Sequence, residues 1–208
     1  MTVTLNVQAE IIDIRTDTPQ PGDIFFVDTN VWLWQTYPNA TTSFSSSIKK
    51  SRYYTAYLSA ALSNGATLTY SGLILSELAH VIEKTERDIY SRSYGAIQAK
   101  EYRHNLTLER AKVVAEVQAA WSQVEAIAVP VDLTIDEATT NAALTRFQTQ
   151  ALDGYDLLML EGISRAGAGQ VKIITDDMDY AVVPEIQVFT SNNSVIQSAI
   201  AQNKLLVR

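Results

Sequence analysis

Short apolar runs alternate with longer amphipathic stretches along this chain. Residues 24–28 (IFFVD), 66–70 (ATLTY), 171–175 (VKIIT) and 186–190 (IQVFT) are short runs rich in aliphatic and aromatic residues. Such runs predict strands buried on both faces. A first strand is expected within LNVQAEIIDI at 5–14, ended by the breaker TPQPGD, and another over 126–131,. Between the strands the period changes. A polar Ser/Thr-rich loop at 39–47 precedes a helix over about 51–62, stopped at Asn64 and Gly65,. Ser71 is placed to cap a helix carrying Leu73, Ile74, Leu78, Val81 and Ile82,. A polar stretch at 86–105 leads into a long helix over about 107–125. Thr134 is placed to cap a short helix, and Asp153 or Tyr155 starts another that ends near Gly167 and Gly169,. Strands alternating with helices predict a parallel sheet covered on both faces.

Composition narrows the class. With 208 residues, 47% hydrophobic and 19% charged, the chain suits one domain with a sizeable core,. No apolar run is long enough for a membrane span, and no basic-then-apolar leader opens the sequence, so a cytoplasmic, membrane-free protein is expected,. The absence of cysteine excludes thiolate metal sites and disulfides,. A net charge of −7 argues against a broadly basic nucleic-acid surface, so any positive charge must be concentrated locally,.

Four acids sit where acids are costly. Asp28 and Asp177 fall just beyond buried strands, where parallel α/β sheets build ligand sites,. For each, a helix cap or turn is the plainer role. Glu77 shares a helical face with Ile74, Leu78 and Val81, and Asp156 shares one with Met159, Leu160 and Ile163,. A lone ionised carboxylate on such a stripe costs several kcal/mol unless it is compensated, by an arginine, a backbone cap or a bound cation. Acids gathered in one cleft need raised pKa values or a cation, and an all-carboxylate set suits Mg²⁺ or Mn²⁺ and phosphate chemistry. His80 and His104 lack metal-ligand spacing and read as ordinary helix or surface residues.

These blocks in order, VDTN at 27–30, SELAHVIEK at 76–84, DLLMLEGISRAG from Asp156 and ITDDMDY at 174–180, resemble the PIN-domain family of small α/β nucleases. The resemblance implies a PIN-like three-layer α/β/α sandwich around a central parallel sheet. It implies one domain over 1–208 with a core at about 24–190 and insertions near 39–60 and 86–112. By it, Asp28, Glu77, Asp156 and Asp177 are metal-holding catalytic acids and Asp179 an accessory metal acid. Asn30 and Thr175 organise them by hydrogen bonding. Asp153 and Asp176 have no clear family role, and each reads as a helix cap or a solvated turn residue rather than a metal contact. The implied activity is cleavage of single-stranded RNA by metal-activated water. Many members are toxins of toxin–antitoxin pairs, usually homodimers blocked by an antitoxin segment. This chain is longer than the compact toxins.

For RNA contact, IKKSRYYTAY at 48–57 and the stretch 87–112 interleave basic and aromatic residues, with Arg87, Arg92 and Arg103 as candidates,. The plainer alternative is a solvated helix face with aromatic anchors beneath. Trp32 and Trp34 read as helix-packing residues. The second functional reading is a non-catalytic PIN scaffold with a structural metal site, and a third is a nuclease for DNA or structured substrates.

Overall fold

The computed structural model describes residues 4–41, 45–166 and 170–208. In chain order its strands are β1 (Glu10–Asp13), β2 (Ile24–Val27), β3 (Thr67–Tyr70), β4 (Val129–Pro130), β5 (Val171–Ile174) and β6 (Ile186–Thr190). The helices are α1 (Thr29–Thr36), α2 (Ser45–Ser63), α3 (Gly72–Tyr94), α4 (Ala99–Asn105), α5 (Thr107–Ile127), α6 (Glu137–Phe147), α7 (Gly154–Ala166) and α8 (Asn193–Ala201). The sheet runs β1-β6-β5-β2-β3-β4 with every pairing parallel. Helices cover it, giving the expected three-layer α/β/α arrangement. No helix among the described residues is long and apolar enough to cross a membrane.

The central strands are apolar because neither face meets water. Phe25, Val27, Ile173, Ile174, Val188 and Phe189 are all buried in one core with Trp32, Tyr54 and Ile74,. Phe25 and Phe189 meet edge to face at 4.8 Å across the sheet,. At the edge, β1 is not left open. Ile11 donates its amide to the Lys204 carbonyl at 2.9 Å and accepts from the Leu206 amide at 2.8 Å, so the last residues shield the strand from foreign pairing,.

Several local expectations change. The first strand covers only the last part of LNVQAEIIDI. Helix α2 starts at Ser45, inside the stretch expected as loop, of which residues 42–44 lie outside the described set. Helix α3 runs on to Tyr94, through residues whose polarity suggested a connection, because Ile82 and Glu86 continue its buried stripe. Ser71 precedes α3 but makes no side-chain cap; its hydroxyl points at the Met159 sulfur at 3.9 Å. Asp136, not Thr134, caps α6: its Oδ1 accepts the Thr139 amide at 2.8 Å, and a carboxylate is the stronger acceptor,. The strand expected over 126–131 shrinks to Val129–Pro130, since proline cannot donate to a ladder,. Gly167 and Gly169 lie outside the described residues.

Candidate metal centre

The sheet order has one reversal. From β2 the chain moves outward to β3, whereas from β5 it moves the opposite way to β6, while β2 and β5 lie side by side. The crevice beyond the carboxyl ends of these two strands is the topological switch point, the usual ligand position in such sheets. The pairing of Val27 with Ile174 brings the next residues, Asp28 and Thr175, together there, and the Asp28 amide still donates to the Ile174 carbonyl at 3.1 Å.

Asp28 caps α1, with its Oδ1 accepting the Thr29 amide at 2.7 Å. The plainer role considered for it is therefore real, and it is not the only one. Its Oδ2 accepts from Asn30 Nδ2 at 2.5 Å and from the Thr175 hydroxyl at 2.6 Å. Asn30 Nδ2 also donates to Thr175 Oγ1 at 3.1 Å, and Asn30 Oδ1 accepts the Asp176 amide at 3.2 Å. Thr175 Oγ1 further accepts the Asp177 amide at 2.9 Å. Asn30 and Thr175 thus tie the α1 start to the turn after β5.

The other acids surround this knot. Glu77, on the second turn of α3 beside buried Ile74 and Leu78, accepts the Thr29 hydroxyl at 2.5 Å. Asp156, buried in the first turn of α7, accepts the Tyr180 hydroxyl at 2.7 Å. Asp177 Oδ1 accepts the Asp179 amide at 2.9 Å, and Asp179 opens a 3₁₀ turn over Asp179–Val182 that positions Tyr180. Asp153 accepts the amides of Tyr155 and Asp156 at 2.9 and 3.1 Å, the cap expected of it.

The charges feel one another. Burial first, then the charges of Glu77 and Asp177, push Asp28 up to about 7, against the opposing hydrogen bonds from Thr175 and the Thr29 amide,. Burial and then the Asp28 charge push Asp156 up to about 8, with Tyr180 opposing and Asp153 and Asp177 adding. Burial, Asp177 and Asp153 likewise raise Asp179. Tyr180 is held well above its ordinary value by burial and by Asp28, Asp156 and Asp177. Electrostatic coupling therefore links all five predicted metal acids into one cluster.

Among the described residues, no lysine or arginine pairs with any of the five. Asp176 differs: it takes Lys50 Nζ at 2.7 Å and the Tyr54 hydroxyl at 3.0 Å, so it is an ion-paired residue rather than the helix cap or solvated turn residue expected. Glu77 Oε1, Asp156 Oδ2, Asp177 Oδ2 and both Asp179 oxygens accept no hydrogen bond from the described residues. An all-oxygen, uncompensated donor set of this kind fits a hard divalent cation. No group of three acids among the described residues stands as a ready-made coordination shell.

The basic candidates lie elsewhere. Arg103 forks onto Glu83, which also takes Arg110 at 3.0 Å; Lys112 reaches the buried Glu86 at 2.5 Å, and Arg87 stands 3.6 Å from Asp88. No salt bridge is formed by Arg92 among the described residues. Tyr102 is buried and meets Tyr90, so part of this stretch is an aromatic anchor under a helical arm. His80 and His104 are exposed, as expected. Trp32 is fully buried, whereas Trp34 is only half-buried. Sequence reasoning missed Thr29 and Tyr180 as partners of Glu77 and Asp156. Both stand inside the quoted motifs, VDTN and ITDDMDY, which is the signal that names them.

No family model matches the chain, and no curated protein matches it. Among solved structures, the chain is similar to VapBC2 from Rickettsia felis bound to a DNA fragment from its promoter, with a TM-score of 0.47 and 13% identity over 79% of this chain and 96% of that one. At that distance the likeness establishes neither family nor activity.

Proposed function

We propose that the chain is a PIN-type endoribonuclease that cleaves single-stranded RNA with Mg²⁺ or Mn²⁺. One observation carries the reading: Asp28 and Asp156, two buried acids without a counter-cation, are electrostatically coupled to one another and to Glu77 and Asp177, with Asp179 coupled to Asp177, around the switch point of a parallel sheet. The ordered motifs of the sequence support the same assignment. Asp28, Glu77, Asp156 and Asp177 would hold the cation, with Asp179 beside them. Bound there, it would polarise the phosphodiester and activate water for attack. Asn30 and Thr175 hold the Asp28 carboxylate in place, Thr29 holds Glu77, and Tyr180 holds Asp156.

A role as the toxin of a toxin–antitoxin pair, as a homodimer with an antitoxin partner, extends the proposal and rests on the motif resemblance. The helical arm bearing Arg87, Arg92 and Arg103 is the secondary candidate for RNA contact. Its Arg103 is already committed to Glu83, which weakens its claim.

The test is cleavage of a mixed-sequence single-stranded RNA in Mn²⁺, in EDTA, and by Asp28→Asn in Mn²⁺. The expected result is cutting that needs the metal and disappears in the variant. Cutting that persists in EDTA or in Asp28→Asn overturns the assignment. Calorimetric binding of Mn²⁺ without any cutting favours the scaffold reading.

A further inference from the structure

Beside the acids lies an open cavity of about 290 Å³, lined by Asn30, Trp34, Asp176, Asp177, Met178 and Asn192. Asp177 forms part of its wall, and the cavity's position follows from local geometry. Asn30 and Trp34 are one helical turn apart on α1, so the residue that grips Asp28 and the indole share a face,. Met178 follows Asp177 in the same turn, and Asn192 follows β6 at the carboxyl edge of the sheet.

The polar walls are already committed. Asn30 donates to Asp28 and Thr175 and accepts from the Asp176 amide. Asn192 donates to the Asp176 carbonyl at 2.8 Å and accepts the Ser194 amide at 3.1 Å. The Asp176 carboxylate is engaged by Lys50 and Tyr54. What the cavity still offers a ligand, apart from the Asp177 oxygen assigned to the cation, is therefore mainly the face of Trp34 and the side chain of Met178. The indole is also held ready, since it leans on the Tyr54 ring at 5.2 Å with a 34° tilt, and Tyr54 is itself locked by Thr190 and the Ser191 amide. Lys50, bonded to the Asp176 wall, adds positive charge beside an acidic cluster.

We infer that this cavity is a nucleobase subsite in which Trp34 stacks on a base of the strand adjoining the phosphate at the acids, without selecting among bases. The inference rests on the ribonuclease reading. An aromatic face accepts any base, whereas selection needs free edge-reading groups, and the unengaged carboxylate oxygen in the wall, Asp177 Oδ2, is assigned above to the cation,. Trp34 is thus a substrate-positioning residue as well as one packed against the core, whereas its neighbour Trp32 is wholly buried.

The test is fluorescence anisotropy with a labelled single-stranded RNA, Ca²⁺ replacing Mn²⁺ and strand integrity checked on a gel. Unmodified protein, Trp34→Ala and Trp34→Phe are compared, along with RNAs carrying one abasic nucleotide at each position in turn. Trp34→Ala should weaken binding about tenfold and Trp34→Phe no more than about threefold. One abasic position should weaken the unmodified protein about as much as Trp34→Ala does, and should add nothing in that variant. Exchanging the base there should change affinity less than about threefold. If no abasic position weakens the unmodified protein, or if abasic and Trp34→Ala effects simply add, the subsite is overturned even where Trp34→Ala misfolds. RNA binding and cleavage indifferent to Trp34 sink this inference alone. A chain that neither binds nor cuts RNA sinks the ribonuclease reading with it.

Discussion

Strand β2 has a buried aspartate at each end, and the two behave in opposite ways. Asp23, before the strand, takes Lys172 Nζ at 2.5 Å, Arg208 Nη1 at 3.0 Å and the Gln20 amide at 2.9 Å. Burial pushes its carboxyl up, but these partners outweigh burial and hold it below the ordinary value. Asp28, after the strand, is as little exposed, yet its partners are a hydroxyl, an amide side chain and one backbone amide, and it rises to about 7. The same strand pair serves both ends: β5 sends Lys172 toward Asp23 and passes Thr175 to Asp28. Depth and partners decide an acid's character together: Asp28 lies deeper than Asp23 and has no cation in the fold to offset its burial. One end is finished as structure, and the other is left with charge for something outside the chain to neutralise.

The comparison breaks most visibly in activity. Asp28→Asn should lower RNA cleavage by about a thousandfold or more, roughly 4 kcal/mol of transition-state stabilisation, while Asp23→Asn keeps cleavage within a few-fold at a temperature where it is folded. Single-turnover rates on one RNA decide this, and equal losses would erase the distinction between the two ends.

Next comes pH. Asp28 and Asp156 titrate at about 7 and about 8 in the fold, against an ordinary 3.8. The folded state therefore holds more protons between those limits, and stability that is full below about pH 4 falls as pH rises toward 8. From pH 5 to pH 8 in EDTA, denaturant unfolding should show a loss of roughly 6 kcal/mol. Asp28→Asn should remove about half of it, since burial still raises Asp156. Asp23 has the opposite sign: its stabilisation is present above about pH 4 and disappears only in acid,. A wild-type profile that rises from pH 5 to pH 8 contradicts the assignment of uncompensated acids.

A smaller effect sharpens the structural end. Asp23→Asn leaves Lys172 and part of Arg208 unpaired and should cost about 2 kcal/mol at pH 7, read as a lower denaturation midpoint, whereas Asp28→Asn at pH 8 without metal should cost nothing or stabilise. The smallest is Tyr180→Phe. It removes the donor to Asp156 and should cost about 1 kcal/mol, with the Asp156 carboxyl titrating higher still by NMR; a downward shift would show that the hydroxyl is not what restrains it.

The parallel sheet was legible because β2, β5 and β6 are short and mostly apolar, with aliphatic or aromatic residues toward both faces, a pattern that only two covered faces tolerate,. The candidate acids were legible for the converse reason, as charges standing where that pattern forbids them. Their partners were harder to see. Thr29 reaches Glu77 across 48 positions and Lys50 reaches Asp176 across 126, and no local period records such contacts. The arm of α3 was obscured by its own polarity, since the buried Glu86 on its inner stripe is neutralised by Lys112 from another helix. The shielding of β1 rests on a single bridge, Ile11 with Leu205, too short to leave a strand signature.

The joint between Asp28 and Thr175 spans 147 positions of chain. During synthesis the amino-terminal part, with Asp28 and Glu77, leaves the ribosome long before β5 exists to pair with β2. Closing so distant a contact is a late event, because the loop must be ordered before any contact rewards it. The acid cluster is consequently assembled only once most of the polypeptide has been made, and whatever chemistry it performs is withheld from incomplete chains.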